Sequence, residues 1–488
     1  MSTDANTRYL RGLINELRKL PNETPWVEFK HNNTNPQDIG EYLSALSNAA
    51  ALGGKSNAYL VWGIEDGTHD VLGTTFKPGK TKKGNEALES WLVRLLSPRL
   101  HFKFHSFEYE GESVVVLEIP KANTKPTQFS GTEYVRVGSH CQKLRDHPQL
   151  EQELWRIFDA TPFESLIAKE HVAGGDVLSF LDYPSYFQLL ERPLAENRSA
   201  ILEVLSNDGM IITDEAGAWN ITNLGAILFA RTLRDFKPLD RKSARVIIYE
   251  GRGRIKTIRE QEVQIGYATG FEGLIRFIND SLPSNEVIGQ AIRTTVPMYP
   301  EPAVRELVAN ALIHQDFSIT GAGPMVEIFS DRMEITNPGL PLVNTERFLD
   351  SPPRSRNEVL ASFMRRIGVC EERGSGVDKV VFQTELFQLP APSFETPENS
   401  TRSVLFAHKP LNEMDSAERI RACYLHAALR YVERDPMTNS SLRKRFGIKE
   451  QNSARASRII RETQEYGAIK SYDPKQGRRH AKYLPFWA

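Results

Sequence analysis

PAVRELVANALIHQDFS, residues 302–318, is the stretch on which the fold of this chain turns. Proline is favoured in the first turn of a helix, where its missing N–H costs nothing. The apolar positions after Pro302 recur at helical spacing. Glu306 and Asn310 therefore stand four apart on one face, with His314 four further on. A carboxylate, an amide and an imidazole in one line can orient water, hold Mg2+ and touch phosphate. An amphipathic helix with an idle polar face would show the same spacing, so the flanking sequence has to decide.

Downstream, PMVEIFSDRMEITNPGLP (324–341) alternates and reads as a β-hairpin with Asp331-Arg332 at its turn, running into the loop Asn337-Pro338-Gly339. RNEVLASFMRRIGVCEERGSGVDKV (356–380) gives a helix, a glycine-containing loop and a second helix. Gly374 and Gly376 would turn backbone N–H groups toward phosphate at that helix start. Upstream, ARVIIYE (244–250) is a strand and GFEGLIRFIND (270–280) a helix. SFETPENSTRS (393–403) reads as a loop that, with Pro410, closes the region. Residues 241–410 thus form one mixed α/β domain.

The N-terminal 155 residues form another. ETPWVEFK (23–30) holds a short strand whose alternation puts Trp26, Glu28 and Lys30 on one face and Val27 and Phe29 on the other. DIGEYLSALSNAAAL (38–52) is a helix. AYLVWGIED (58–66) is a β-run delivering Glu65 and Asp66 at its C-terminal end, where open α/β sheets place sites. SVVVLEIP (113–120) and YVRVGS (134–139) are further strands. Glu23, Glu28 and Asp66, or Glu65 in its place, could converge on a hard divalent cation, since Mg2+ and Mn2+ prefer oxygen ligands. Lys30 could stabilise charge developing on phosphoryl oxygens. A surface ion pair explains E-x-K more often than not, and Asp-Gly after a strand is first of all a turn.

Residues 156–240 are mainly helical. Within them RSAILEVLSNDGMIITDEAGAWNITNLGAILFA (198–230) reads as helix, hairpin, helix, a winged-helix-like connector. Residues 411–488 form a basic tail of helix, helix, helix and hairpin, the order of a winged helix. Its third helix, NSARASRIIRETQEYG (452–467), aligns Arg455, Arg458 and Arg461 on roughly one face. Its hairpin carries Lys475, Arg478, Arg479 and Lys482. These positions suit bases and phosphates of nucleic acid. Dimerisation through the same domain would leave those arginines merely solvated.

The whole chain agrees with this division. At 488 residues it exceeds what one core serves. A net charge of −1 supplies no global basic field, so nucleic-acid binding must rest on local patches. Cys141, Cys370 and Cys423 are odd in number and unspaced, which argues against disulfides and zinc and for a reducing cytoplasm. No apolar run is long enough for a bilayer.

ETPWVEFK, the helix ending in SNAA, YLVWGIEDG with the following VLG, and YVRVGS together resemble the Schlafen AlbA-type domain. In nuclease members of that family two glutamates and an aspartate form the active site. The resemblance carries these onto Glu23, Glu28 and Asp66, with Lys30 beside them. E-x-x-x-N, then N-P-G, then the glycine loop resemble the divergent GHKL-type domain labelled RecG C-terminal-like. That resemblance makes Glu306 the general base, Asn310 the Mg2+ ligand, and His314, Asn337, Gly339, Gly374 and Gly376 part of an ATP site. Asn337 stands where the wider family has an aspartate, so it lacks that charge toward adenine, and slow or absent hydrolysis is expected.

The expected architecture is therefore α/β (α+β): a Schlafen AlbA-type domain, a winged-helix-like connector, a GHKL-like α/β sandwich and a C-terminal winged helix. The expected activity is metal-dependent cleavage of nucleic acid, RNA of tRNA type above all, under control of bound ATP and in the service of anti-phage defence. The alternative is an ATP-binding transcriptional regulator that binds DNA without cutting it. A homo-oligomer away from membranes is expected in either case.

Overall fold

The structure is a computed structural model that describes residues 3–20, 24–160, 162–215, 217–282, 284–288, 293–370, 376–475, 477 and 481–488. It is a mixed α+β protein whose chain divides into two compact units. One comprises residues 1–166, 171–173 and 212–220, the other residues 167–170, 174–211 and 221–488.

In the first unit, the helix Thr3–Leu17 buries Leu10, Leu13, Ile14 and Leu17, spaced as one helical stripe. A four-stranded sheet runs in the order Val27–Lys30, Asn57–Trp62, Glu112–Pro120, Lys103–Tyr109. Its first pair is parallel and the others are antiparallel. Parallel neighbours need a crossover, and the helix Pro36–Leu52 supplies it. Asn35 caps that helix by accepting the Gln37 N–H. A second sheet runs His140–Lys143, Thr132–Val137, Gln128–Phe129, Leu96–Ser97. The buried Asn48 ties the crossover helix to it. Its amide donates to Thr127 O (3.0 Å) and Tyr134 O (2.8 Å), and its oxygen accepts the Thr127 N–H (2.8 Å).

In the second unit, a six-stranded sheet runs Thr257–Val263, Ala244–Tyr249, Met325–Ile328, Arg332–Pro338, Ser400–Phe406, Ser393–Glu395. Only Ala244–Tyr249 with Met325–Ile328 is parallel. The helix Glu301–Ile313 packs on Arg332–Pro338 and on the helix Gly376–Leu386. Two sequence expectations change here. SFETPENSTRS is no closing loop: Ser393–Glu395 and Ser400–Phe406 extend the sheet beyond the Asn337 strand, with only the Pro397 region turning. Thr257–Val263, unread in the sequence, is an edge strand, and its exposed side chains erase the apolar alternation that marks a half-buried strand.

Farther along, the helix Arg198–Asn207, the hairpin Ile211–Thr213 with Trp219–Thr222, and the helix Asn223–Phe229 follow the connector order read from the sequence. The tail has helices Ser416–Val432, Asn439–Arg445 and Ser453–Glu465, then strands Ile469–Ser471 and Lys482–Pro485 joined by Met437–Thr438 into one small sheet. Asp415 and Glu418 close a capping box on the first helix, and Thr438 caps the second. Cys423, Leu429, Leu442, Ile459 and Ile469 belong to their shared core. No described helix is long and apolar enough to cross a membrane.

Candidate functional site

The first site forms where the strands Val27–Lys30 and Thr132–Val137 meet the crossover helix. Glu28 is 4% exposed. Lys30 Nζ lies 2.5 Å from its Oε1, and the Tyr42 hydroxyl donates to the same oxygen at 3.1 Å. Arg136 forms an ion pair with Oε2. Alternation along the first strand thus puts Glu28 and Lys30 together as expected. Burial works to lower the Lys30 pKa, but its hydrogen bond to Glu28 prevails and holds the ammonium above its ordinary value. Burial, with Glu28 beside it, pushes the Tyr42 phenol up.

Both Glu28 oxygens are therefore engaged by cations. Asp66 is exposed on the turn after Asn57–Trp62, as is Glu65, whose carboxylate accepts from the Thr68 hydroxyl (3.0 Å). Among the described residues no trio of His, Cys, Asp and Glu side chains that includes Glu28 or Asp66 gathers its ligand atoms within 4.8 Å. Glu23 lies outside the described residues. A divalent ion at Glu28 would have to displace Lys30 or Arg136, so the described part of this cluster does not fit a metal, and no step through one is derived.

Arg136 went unnoticed in YVRVGS. Its signal was a cation between two valines in a strand, a place where only a paired charge is tolerated. A second buried network in this unit was also missed. His105 Nε2 lies 3.1 Å from Glu118 Oε2, His171 pairs with the other Glu118 oxygen, and His171 Nδ1 lies 2.9 Å from Asp214 Oδ2. Burial would raise the Glu118 pKa, but the hydrogen bonds from His105 and His171 hold it far below the usual carboxylate range. These residues are scattered over more than 100 positions, so no local pattern announces them.

The second site is a cavity of about 540 Å³ in the other unit, lined by Glu306, Asn310, His314, Asn337, Gly376 and three arginines. The helix Glu301–Ile313 buries Ala303, Leu307 and Val308 and leaves Glu306 and Asn310 half-exposed on its polar edge. Asn310 Nδ2 donates to Glu306 Oε1 at 3.2 Å, which leaves the amide oxygen available for a cation. His314 is the helix C-cap rather than a third interior position. Its N–H bonds Asn310 O at 2.9 Å, and it still reaches the cavity. Burial, then Arg356 and Arg365, lower its pKa to about 4, so it is a neutral hydrogen-bonding group near pH 7.

Gly376 opens the helix Gly376–Leu386 against Glu306. A Cβ there would sit 1.8 Å from Glu306 Oε1, so any larger residue makes the Glu306 carboxylate turn aside. Gly339 has φ +100, and a Cβ would meet Asp316 Cβ at 2.7 Å. The turn is pinned by Gly339 N–H to Asn399 O (2.7 Å) and by the Thr401 hydroxyl to Gly339 O (2.8 Å). Asn337 is buried just before it, its amide donating to Pro338 O at 3.2 Å. Gly374 lies outside the described residues.

The arginines Arg354, Arg356 and Arg365 were not singled out in the sequence. Arg356 braces the loops, donating to His314 O and Leu340 O. Arg354 and Arg365 are exposed, and among the described residues neither has an ion-pair partner. Their signal was weak, since cations beside Pro352-Pro353 or within a helix read as solvated surface.

On the tail, Arg455, Arg458 and Arg461 are exposed on Ser453–Glu465, opposite buried Ala456, Ile459 and Ile460, and have no ion-pair partner among the described residues. Lys475 and Lys482 are exposed. Arg478 and Arg479 lie outside the described residues.

Residues 23–145 match the family described as Schlafen, AlbA_2, and residues 321–405 match the family described as putative ATP-dependent DNA helicase RecG C-terminal. The second match covers Asn337, Gly339, Gly374 and Gly376 but begins after Glu306, Asn310 and His314. No curated protein matches the chain. Among solved structures, a crystal structure of a Corynebacterium diphtheriae protein is 17% identical with a TM-score of 0.42, over 99% of this chain and 97% of that one. The N-terminal domain of a putative ATP-dependent DNA helicase RecG-related protein from Nitrosomonas europaea, solved by NMR, is 21% identical with a TM-score of 0.20, over 27% of this chain and 89% of its own. Likenesses this distant leave the fold to rest on the elements described above. The two family matches suggest a nucleic-acid-related, ATP-binding protein.

Proposed function

We propose that this chain, with a Schlafen AlbA-type region and a RecG C-terminal-like region, is an ATP-binding protein that binds nucleic acid under nucleotide control. The observation that carries the reading is charge imbalance at the Glu306 cavity. Arg354 and Arg365 face it without ion-pair partners among the described residues, and His314 offers a neutral donor. Guanidinium groups with no carboxylate partner suit a polyphosphate. Asn310 would hold Mg2+ through its amide oxygen, with Glu306 beside it. The bound ion would neutralise phosphate charge. Glu306 accepts a hydrogen bond from Asn310 and so orients that amide, and Gly376 lets the helix start close on the pair. Asn337, without a carboxylate charge, supports binding over rapid turnover. Titration calorimetry with ATP and Mg2+ tests the site: one nucleotide bound per chain is expected, and no heat of binding would sink the reading.

The tail is the proposed nucleic-acid contact, used as a winged helix with Arg455, Arg458 and Arg461 toward the duplex and Lys475 and Lys482 toward phosphates. Gel shifts at low salt should show DNA affinity that falls steeply as salt rises and disappears in an R455E/R458E/R461E variant. DNA binding unchanged in that variant would exclude this face.

The second reading is a metal-dependent endonuclease acting on tRNA-like RNA, with a role in anti-phage defence. It is favoured by the Schlafen match, whose span takes in Glu23, Glu28 and Asp66. Incubation of tRNA with protein and Mn2+ tests it. Asp66→Ala, an exposed position, separates chemistry from folding. Absence of Mn2+-dependent cleavage, or equal cleavage by the variant, removes this reading for Asp66.

A further inference from the structure

The second unit holds another cavity, of about 530 Å³, which adjoins the Glu306 cavity and shares Phe394 with it. Its walls come from the sheet hairpin, through Phe394, and from the tail, through Arg421, Tyr424, Tyr466 and Phe486. Arg421 stands on the inward side of the helix Ser416–Val432. Its Nε donates to Ala391 O at 3.1 Å, and its guanidinium lies 4.8 Å from the centre of the Phe406 ring. Its Nη2 is buried and has no hydrogen-bond partner. No carboxylate among the described residues pairs with it. Of the acids near it, Glu418 pairs with Lys409 (2.7 Å) and the Asp415 cap and Glu395 with Arg402 (3.6 Å), while Glu346 lines the cavity as well.

A largely buried cation with no carboxylate in direct contact is costly, by several kcal/mol per ion in low-dielectric surroundings, and Glu418, Asp415 and Glu395 offset this only from a distance. Sequence economy alone would favour Leu or Met at that position. Burial lowers the pKa of this guanidinium, yet arginine stays protonated near pH 7. The rest of the wall is aromatic and held in place: the Tyr424 hydroxyl donates to Glu346 O and accepts from Trp487 Nε1 at 2.9 Å. Tyr466 is 74% exposed and Phe486 41% exposed, large ring surfaces for a soluble face. A volume near 500 Å³ falls within the usual range of small-ligand sites, about 300–1,000 Å³.

We propose that this cavity binds a small organic anion with a flat aromatic body. The anionic group pairs with the guanidinium of Arg421, and the ring packs among Phe394, Tyr424 and Phe486. Because both the sheet hairpin and the tail line the cavity, such a ligand ties the tail to the nucleotide-binding sheet and acts as an effector of the arginine-bearing helix.

The probe is 1-anilinonaphthalene-8-sulfonate, compared with uncharged N-phenyl-1-naphthylamine, on the full chain. Trp487 beside Tyr424 provides a local energy-transfer donor, removed by W487F. Binding of the sulfonate is expected to weaken about tenfold or more in R421M, the loss of one charged hydrogen bond, with partial recovery in R421K. The neutral dye should be indifferent to R421M. The thermal midpoint of R421M should stay level or rise, because an unpaired buried charge is gone. An R354A/R365A variant should bind the sulfonate normally, which separates this site from the nucleotide cavity. Unchanged sulfonate binding in R421M, equal loss of both dyes, or loss in R354A/R365A overturns the proposal.

Discussion

Glu28 and Glu306 are both glutamates beside a polar neighbour at fixed spacing, and the structure treats them in opposite ways. Glu28 sits at 4% exposure with Lys30 and Arg136 on its two oxygens, so its charge is cancelled on the spot. Glu306 accepts an amide hydrogen bond from Asn310 along its helix and opens on a cavity where Arg354 and Arg365 have no ion-pair partner among the described residues. A charge cluster that balances itself holds a fold together. One left unbalanced around a cavity is set to bind what completes it.

The comparison breaks most readily at Glu28. Glu28→Ala strands Arg136 and Lys30 without their counter-charge, and removing one partner of a buried pair costs about 3–5 kcal/mol. Denaturant unfolding of that unit should register it, and a loss under about 1 kcal/mol would mean the pairing is loose.

At the Glu306 cavity, His314 makes a pH prediction. Its folded pKa is lowered from 6.5 to about 4, so between these values the unfolded chain binds the extra proton. Stability is full above about pH 6.5 and falls as pH drops toward about 4, by up to about 3 kcal/mol. His314→Gln should flatten that segment of the stability–pH curve, and an unchanged slope would assign it to other groups.

Gly376→Ala comes next. The new Cβ turns the Glu306 carboxylate away from Asn310, and loss of that charged hydrogen bond, about 1–3 kcal/mol, should appear as a roughly 10–100-fold loss of nucleotide affinity. Calorimetry that finds wild-type affinity would separate Gly376 from the site. The smallest effect belongs to the exposed arginines. R354A and R365A should each cost about 1–2 kcal/mol of Mg·ATP binding, with thermal stability nearly unchanged. If instead they shift the melting temperature and spare binding, the open charges are structural.

Local sequence carried the reading far in some regions. Pro302 and its apolar spacing marked the Glu306 helix, alternation put Glu28 and Lys30 on one face, and Asp415, Glu418 and Thr438 marked helix starts. It failed where the decisive neighbour was remote. Arg136 reaches Glu28 across 108 positions of chain. Ser393–Glu395 and Ser400–Phe406 looked like a loop because their Pro, Asn, Ser and Thr content is that of turns, and pairing with Arg332–Pro338 is what makes them strands.

The sequence by itself determined most helices, the inner strands and the two family regions, because helix spacing, strand alternation and caps depend on residues a few positions apart. Only the tertiary structure decided which charges are cancelled and which are left open. Electrostatic balance depends on distance and burial, and the chain brings Arg136 to Glu28, Gly376 to Glu306 and Arg356 to His314 only when it folds.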